Sequence, residues 1–483
     1  MKRTLLAVFI GIFVSADASA VSLNPNGLGQ VLIYPYYTVE AGQGTLLSVV
    51  NTKNVGKAVK VRFLEAYNGR DVLVFNLFLA PFDVWTANIF ALADAGLAGS
   101  GAAIFTADQS CTAPAFSTGP LVNGLGYQQF LNFGFTGANA DGGPTSDSRT
   151  REGHVEMIAM ADVDVYSPLY GDIVHVNGSP TGCASAEADF EEGSSTREPT
   201  SGLFGSASIV DVNEGTFYAY NADAVDGFTY VTLATPPGDS QPTLASANDR
   251  DNPLTATSRV FADGELLTST FDDPIDAVSS LFVAGNIYNE YVTALDGSIG
   301  TDWVLTFPTK RFYVDPLLVT AAIPPFENRF GADESGNGGP GSSCISAGLS
   351  VFDREGQPEV PPCGFATCPP GRPPYNICQE TNVLRFSQSS IVGTQLPTQS
   401  LGLVPSNGGI VELIAGESGH DMHPASNGNI FHGLPITGFA VTRFINNFVP
   451  GPGGAGYALA NYTAAYRHRL TTSCTRSNGD PCS

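Results

Sequence analysis

Glycine and proline punctuate this chain so densely that little room is left for long helices: 54 glycines and 33 prolines run through 483 residues. Proline removes a hydrogen bond from a helix interior and glycine costs about 1 kcal/mol at each helical position, whereas both serve the turns between short strands. The expectation is an all-β chain, built as one or more antiparallel β-sandwiches with long Gly/Pro-rich loops. Core material is ample, because 43% of the residues are hydrophobic and 10% aromatic, which excludes disorder over most of the length. At roughly 100–200 residues per domain, the length suits two to four domains or one large elaborated one.

Charge narrows the partners. Lys and Arg number 22 against 46 Asp and Glu, a net charge of -24 on a chain with only 14% charged residues. Such a surface repels phosphate backbones and anionic headgroups, so neither nucleic acid nor a polybasic membrane contact is expected.

Lys2 and Arg3 precede the apolar stretch from Leu5 to Val14, and Ala18-Ser19-Ala20 supplies the small residues of a signal-peptidase site. This reads as a secretory signal cleaved near Ala20, with export to the periplasm, the cell surface or the medium. Ten apolar residues span about 15 Å, half a hydrocarbon core, so they do not read as an anchor. No later stretch approaches the ~18 apolar residues of a transmembrane helix. Removing Lys2, Arg3 and Asp17 leaves 20 basic and 45 acidic residues, a net of -25, so the acidity belongs to the exported part.

Eight cysteines, Cys111, Cys183, Cys344, Cys363, Cys368, Cys378, Cys474 and Cys482, all follow the signal. An even number in an oxidising compartment points to disulfides. Proximity favours Cys474 with Cys482 and local pairing among the four cysteines from Cys344 to Cys378, in an order the spacing leaves open, with Cys111 remaining for Cys183. The spacing contains no C-x-x-C pair suited to zinc or an iron–sulfur cluster.

The clearest strand pattern runs from Gly29 to Ile89. Gln30–Tyr37 and Thr45–Asn51 are β-branched or aromatic runs separated by a glycine turn. Val59, Val61 and Phe63 alternate with Lys60 and Arg62, the period of a strand with one wet face. Asn68-Gly69 marks a tight turn into Val72–Leu79, which is apolar on both faces except at Asn76. Asp83–Ala95 suits either a further strand or a short helix closed by Gly96. Asn51, the Val59-Val61-Phe63 strand, Gly69, Val72 to Phe75, and Leu79 with Pro81 resemble the immunoglobulin-like β-sandwich modules of exported bacterial proteins. The resemblance covers roughly 60 residues, lacks a flanking cysteine pair around Trp85, and implies architecture and location, not chemistry.

Along the chain the expected organisation is a signal peptide at 1–20, an N-terminal sandwich at 21–110 and a loop-rich insertion at 111–205. A β-rich region at 206–329, a Cys/Pro/Gly-rich loop or linker at 330–380 and C-terminal strands at 381–483 follow. Glu187–Gly202 reads as an exposed loop; Phe228–Ala234 and Ala277–Thr293 read as strands.

Candidate chemistry is sparse. His420, His423 and His432 sit close together with Glu417 and Asp421, a set able to hold zinc or copper through neutral imidazoles; the competing reading is a polar loop broken by Gly and Pro. Asp333, Ser335, Asn337 and Gly338 mimic the opening of a calcium loop, but its twelfth position is Cys344 instead of a bidentate Glu. The pairs Asp162-Asp164, Asp223-Asp226 and Asp249-Asp251 offer further calcium oxygens. Tyr34, Tyr36 and Tyr37 could stack on a sugar ring, or serve as core. Nucleophile-elbow and phosphate-loop motifs are missing. The function expected is a secreted or cell-surface, non-enzymatic β-protein with a structural, adhesive or assembly role. A cell-surface component, a glycan or a second copy would be its partner, and calcium its possible cofactor. A secreted polysaccharide hydrolase and an outer-membrane β-barrel are the alternatives.

Overall fold

The structure is a computed structural model that describes residues 20–193, 195–331, 338–359, 375–387, 389–397, 406–416, 419–447, 449–450, 457–458 and 460–482. Strands take 44% of the chain and helices 12%, so the all-β expectation holds. Among the described residues every ladder between strands is antiparallel, and none of the sheets closes into a ring.

Two sheets form the first sandwich. In the first, Val31–Thr38 and Gly56–Glu65 flank Glu152–Val163, with Asp71–Leu79 and Cys111–Ala113 beyond. In the second, Leu203–Asp211, Gln43–Asn51, Val84–Ala91 and Ala102–Phe105 lie side by side. Alternation decides which side chains meet between them: Val59, Val61 and Phe63 face Leu47, Val49 and Trp85 in one continuous core. Pro35 has no N–H to donate, and the ladder between Val31–Thr38 and its neighbour slips there, between Gly153 and Val155.

The central strand Glu152–Val163 comes from the stretch 111–205. The same stretch contributes the helix Cys183–Glu191, whose Phe190 is buried, where Glu187–Gly202 was expected to be exposed. Asp83–Ala95 resolves into both readings in turn, a strand at Val84–Ala91 and a single helical turn at Ala93–Ala95 closed by Gly96 at φ 70°.

A second pair of sheets follows. Ile345–Asp353, Gly408–Ile414 and Asn286–Val292 are neighbours in one; Thr381–Arg385, Ile299–Thr306 and Thr437–Phe444 are neighbours in the other. Trp303 and Leu305 point into the core between them, as their spacing predicts, while Val304 points the other way against Tyr36 and Tyr218 of the first sandwich. The same core reaches Val31, Ile33 and Ile158 on the outer face of the first sheet. Two sequence expectations change here. Asp273 caps a helix at Pro274–Ser280 where a strand was expected to begin at Ala277, and the strand proper is Asn286–Val292. Phe228–Ala234 forms no ladder; the Phe228 and Thr229 amides donate to the Gln30 side chain instead.

Disulfides join Cys111 to Cys183, Cys344 to Cys378 and Cys474 to Cys482. Cys363 and Cys368 lie outside the described residues.

Candidate functional site

A connected set of buried ionisable side chains begins at the face of the first sheet that alternation had marked as wet. That expectation fails: all ten residues of Gly56–Glu65 are buried, with Lys60 and Arg62 at 0% exposure. The reason is tertiary: the 235–236 segment lies over this face and gives Lys60 its acceptor, while the carboxylates that meet Lys57 and Arg62 come from the neighbouring strands of the same sheet. Lys57 pairs with Asp162 at 2.7 Å, and Lys60 donates to the Pro236 carbonyl at 2.7 Å. Burial pushes the Lys60 amine down to about 8. Arg62 forks between Asp71 (2.8 Å) and Glu156 (2.5 Å), its register partner on the neighbouring strand. Burial works against the Arg62 charge, but these two carboxylates more than reverse it. His154 is two residues back on the same face, with Nε2 3.8 Å from Glu156.

The Asn68-Gly69 turn carries this network toward the second sandwich. Glu65 accepts the amides of Tyr67, Asn68 and Arg70, and also the Arg149 guanidinium at 2.8 Å. Arg149 reaches on to Asp141 and lies over the Phe135 ring. Burial alone would raise Asp141, yet Arg149 and Asn68 hold it below the usual carboxylate range.

Across the junction, Arg70 pairs with Asp315 at 2.8 Å and Arg311 donates to the Gly69 carbonyl at 3.1 Å. The Glu380 and Thr381 amides donate to Tyr67 and Ala66, so the turn is stitched to the second sandwich by backbone as well. Gly69 sits at φ +66°, and a Cβ there would stand 2.7 Å from Glu380 Cδ. Lys310 donates to the carbonyls of Ser343, Cys378 and Gln379. Burial lowers the Lys310 amine to about 7 and raises the Glu380 carboxyl to about 8.

Compared with family models, curated proteins and solved structures, the chain matches none. The chemistry is therefore read from the geometry alone. An amine and a carboxyl that titrate near neutrality suit acid–base work, but Lys310 and Glu380 are both at 0% exposure, as are Arg62, His154 and Glu156. What the arrangement does is clamp two sandwiches together.

The histidines are not brought to one point. His420 is buried, with its ring nitrogens 3.1 Å from the Pro325 carbonyl and 3.0 Å from that of Ser346. His423 is half exposed beside Asp276, and His432 bonds Asp421 and Thr475. Among the described residues no three His, Cys, Asp or Glu side chains are placed to hold a metal. Asp333, Ser335, Asn337 and Glu417 lie outside the described residues. Of the acidic pairs, Asp162 is bound to Lys57, Asp223 to Arg467, and Asp249 accepts from Thr255 and Thr257. Tyr34, Tyr36 and Tyr37 are completely buried, which removes them as a sugar platform. Their hydroxyls go to Ser48, Glu152 and Thr150.

Sequence reasoning passed over Glu65, Arg149, Glu156, Lys310 and Glu380. The available signal was carboxylates and cations set inside strand-like runs, at Arg62, Glu65 and Glu156, where a solvent-facing loop is their usual place.

Proposed function

We propose that this is an exported, non-enzymatic β-protein with a structural, adhesive or assembly role at the cell surface or in the medium. The observation that carries the reading is the junction itself. The acid, base and amine groups gathered there are enclosed, and Arg70 with Asp315 ties one sandwich to the other. Disulfides fit an oxidising compartment, and no helix among the described residues is long and apolar enough to cross a membrane. The N-terminal resemblance to immunoglobulin-like modules of exported proteins supports the same role. Calcium uptake by exposed loop carboxylates belongs to this reading; an identical melting temperature in millimolar calcium and in chelator would overturn that part. Fractionation of the native cells tests the whole. Recovery with surface material supports the role, whereas a soluble form that cleaves glycans overturns it.

A further inference from the structure

The outer face of the second sheet is hollowed by a cavity of about 480 Å³, within the roughly 300–1,000 Å³ of small-ligand sites. Alternation sets its lining in two cross-strand rows. Ser208, Leu46, Asn88 and Phe105 are neighbours in one, and Ser206, Ser48 and Thr86 in the other. The reverse side of the same strands carries Leu47, Trp85 and Ala207 of the first core, so the floor rests on close-packed side chains.

Three features give this cavity a chemistry. First, no Asp, Glu, Lys, Arg or His is among the described residues that line it, on a chain of net charge -24. Second, it holds unused hydrogen-bonding groups. The Ser48 and Ser206 hydroxyls bond each other at 3.1 Å and Thr106 donates to the Thr86 carbonyl, but the Thr86 and Ser208 hydroxyls and the Asn88 amide have no partner among the described residues. Third, one wall is aromatic and fixed. The Phe105 ring stands edge-on 5.4 Å from Phe90, which meets Tyr127 in the same way at 6.2 Å. Leu46, 48% exposed, presents an apolar surface between Ser208 and Asn88.

We propose that this cavity binds a neutral sugar residue of a glycan, an inference that rests on the surface role above and names its ligand. A sugar ring carries hydroxyls around its rim and C–H groups on its faces. Side chains about 5 Å apart between strands and about 7 Å apart along one set the Thr86, Asn88 and Ser208 polar groups beside the apolar Leu46 and Phe105, which complements such a ring. Other ligand classes fit worse. An anionic sugar or a nucleotide meets a protein field of its own sign, and a divalent cation finds no carboxylate in the lining. A wholly apolar ligand would strip water from Thr86, Asn88 and Ser208 and replace none of its hydrogen bonds. Because neutral hydrogen bonds to sugar only exchange for those to water, the dissociation constant expected for one residue is on the order of 1 mM.

Affinity electrophoresis of the purified protein tests this, through gels holding the neutral polymers hydroxyethylcellulose, galactomannan, dextran or arabinoxylan and, separately, anionic polygalacturonate. The result expected is retardation by at least one neutral polymer and none by polygalacturonate. Asn88→Ala, and Thr86→Val, which keeps the side chain's shape and removes its hydroxyl, should each weaken that retardation at least about fivefold. Phe261→Ser, at an exposed aromatic on the strand Ala256–Ala262 outside this sheet, should leave it unchanged. Circular dichroism confirms that each variant is folded, and Thr86→Val, at an exposed position, stands in if Asn88→Ala fails to fold. Free migration in all four neutral gels, retardation indifferent to both cavity variants, or equal retardation by polygalacturonate would each overturn the proposal. Two outcomes separate it from the reading it rests on. If the protein fractionates with surface material yet ignores the neutral polymers, the site falls and the surface role stands; if it binds a polymer through this cavity and also shortens it, the site stands and the non-enzymatic reading falls.

Discussion

Arg149 spans Glu65 and Asp141, so removing it strands two buried carboxylates at once. Arg149→Met is expected to cost about 3–5 kcal/mol, the range for breaking a buried pair by deleting one partner, read as a lower urea midpoint. Gly69→Ala should also destabilise, since the residue is held at φ +66° against Glu380. Glu380 makes a pH prediction. Its folded carboxyl is raised to about 8, so between the unfolded value near 4.3 and pH 8 the folded state keeps a proton that the unfolded state has released. Stability from this group therefore falls as pH rises through that window. Lys310, lowered to about 7, acts oppositely, its contribution growing from about pH 7 toward the unfolded value near 10.4. Glu380→Gln removes the first effect, and thermal melts should show it gaining on wild type steadily from pH 5 to pH 8.

At the scale of elements, the strand Gly56–Glu65 shows what a period-two pattern can and cannot say. Alternation correctly separated Val59, Val61 and Phe63 from Lys60 and Arg62, because side-chain direction is a local consequence of the pleat. Whether the second face met water was not a local matter. The disulfides contribute at this scale too. Cys111–Cys183 spans 72 residues and Cys474–Cys482 only 8. In the chain-entropy treatment these are worth about 4 and about 2.5 kcal/mol respectively. Replacing the first pair with serines should therefore lower the denaturant midpoint more than replacing the second.

For the whole molecule, the two tryptophans fall one to each sandwich, Trp85 in the first core and Trp303 in the second. The second core reaches Val31, Ile33 and Ile158 of the first sheet, and the charge junction joins the same bodies. One body cannot unfold without exposing cations and carboxylates of the other, so the sandwiches should unfold as one unit. Fluorescence of Trp85→Phe and Trp303→Phe variants should report coincident midpoints; two separated transitions would show the bodies to be independent.

Read alone, the residues determined the all-β class, the strands between Gln30 and Leu79 and the pairing of Cys474 with Cys482, since strand period, turn dipeptides and a separation of 8 residues are local properties; that Cys344 takes Cys378 from among its neighbours was decided by the fold. The helix at Pro274–Ser280 has a local signal in Asp273-Pro274, a capping carboxylate followed by a first-turn proline, which the strand reading of Ala277–Thr293 did not use. The clamp was not legible. Arg62 pairs with Glu156 across 94 residues and Arg70 with Asp315 across 245, and no spacing rule connects such positions. Burial of a charge depends on what the rest of the chain brings to it, and only the tertiary structure decided that Lys60 and Arg62 face partners instead of water.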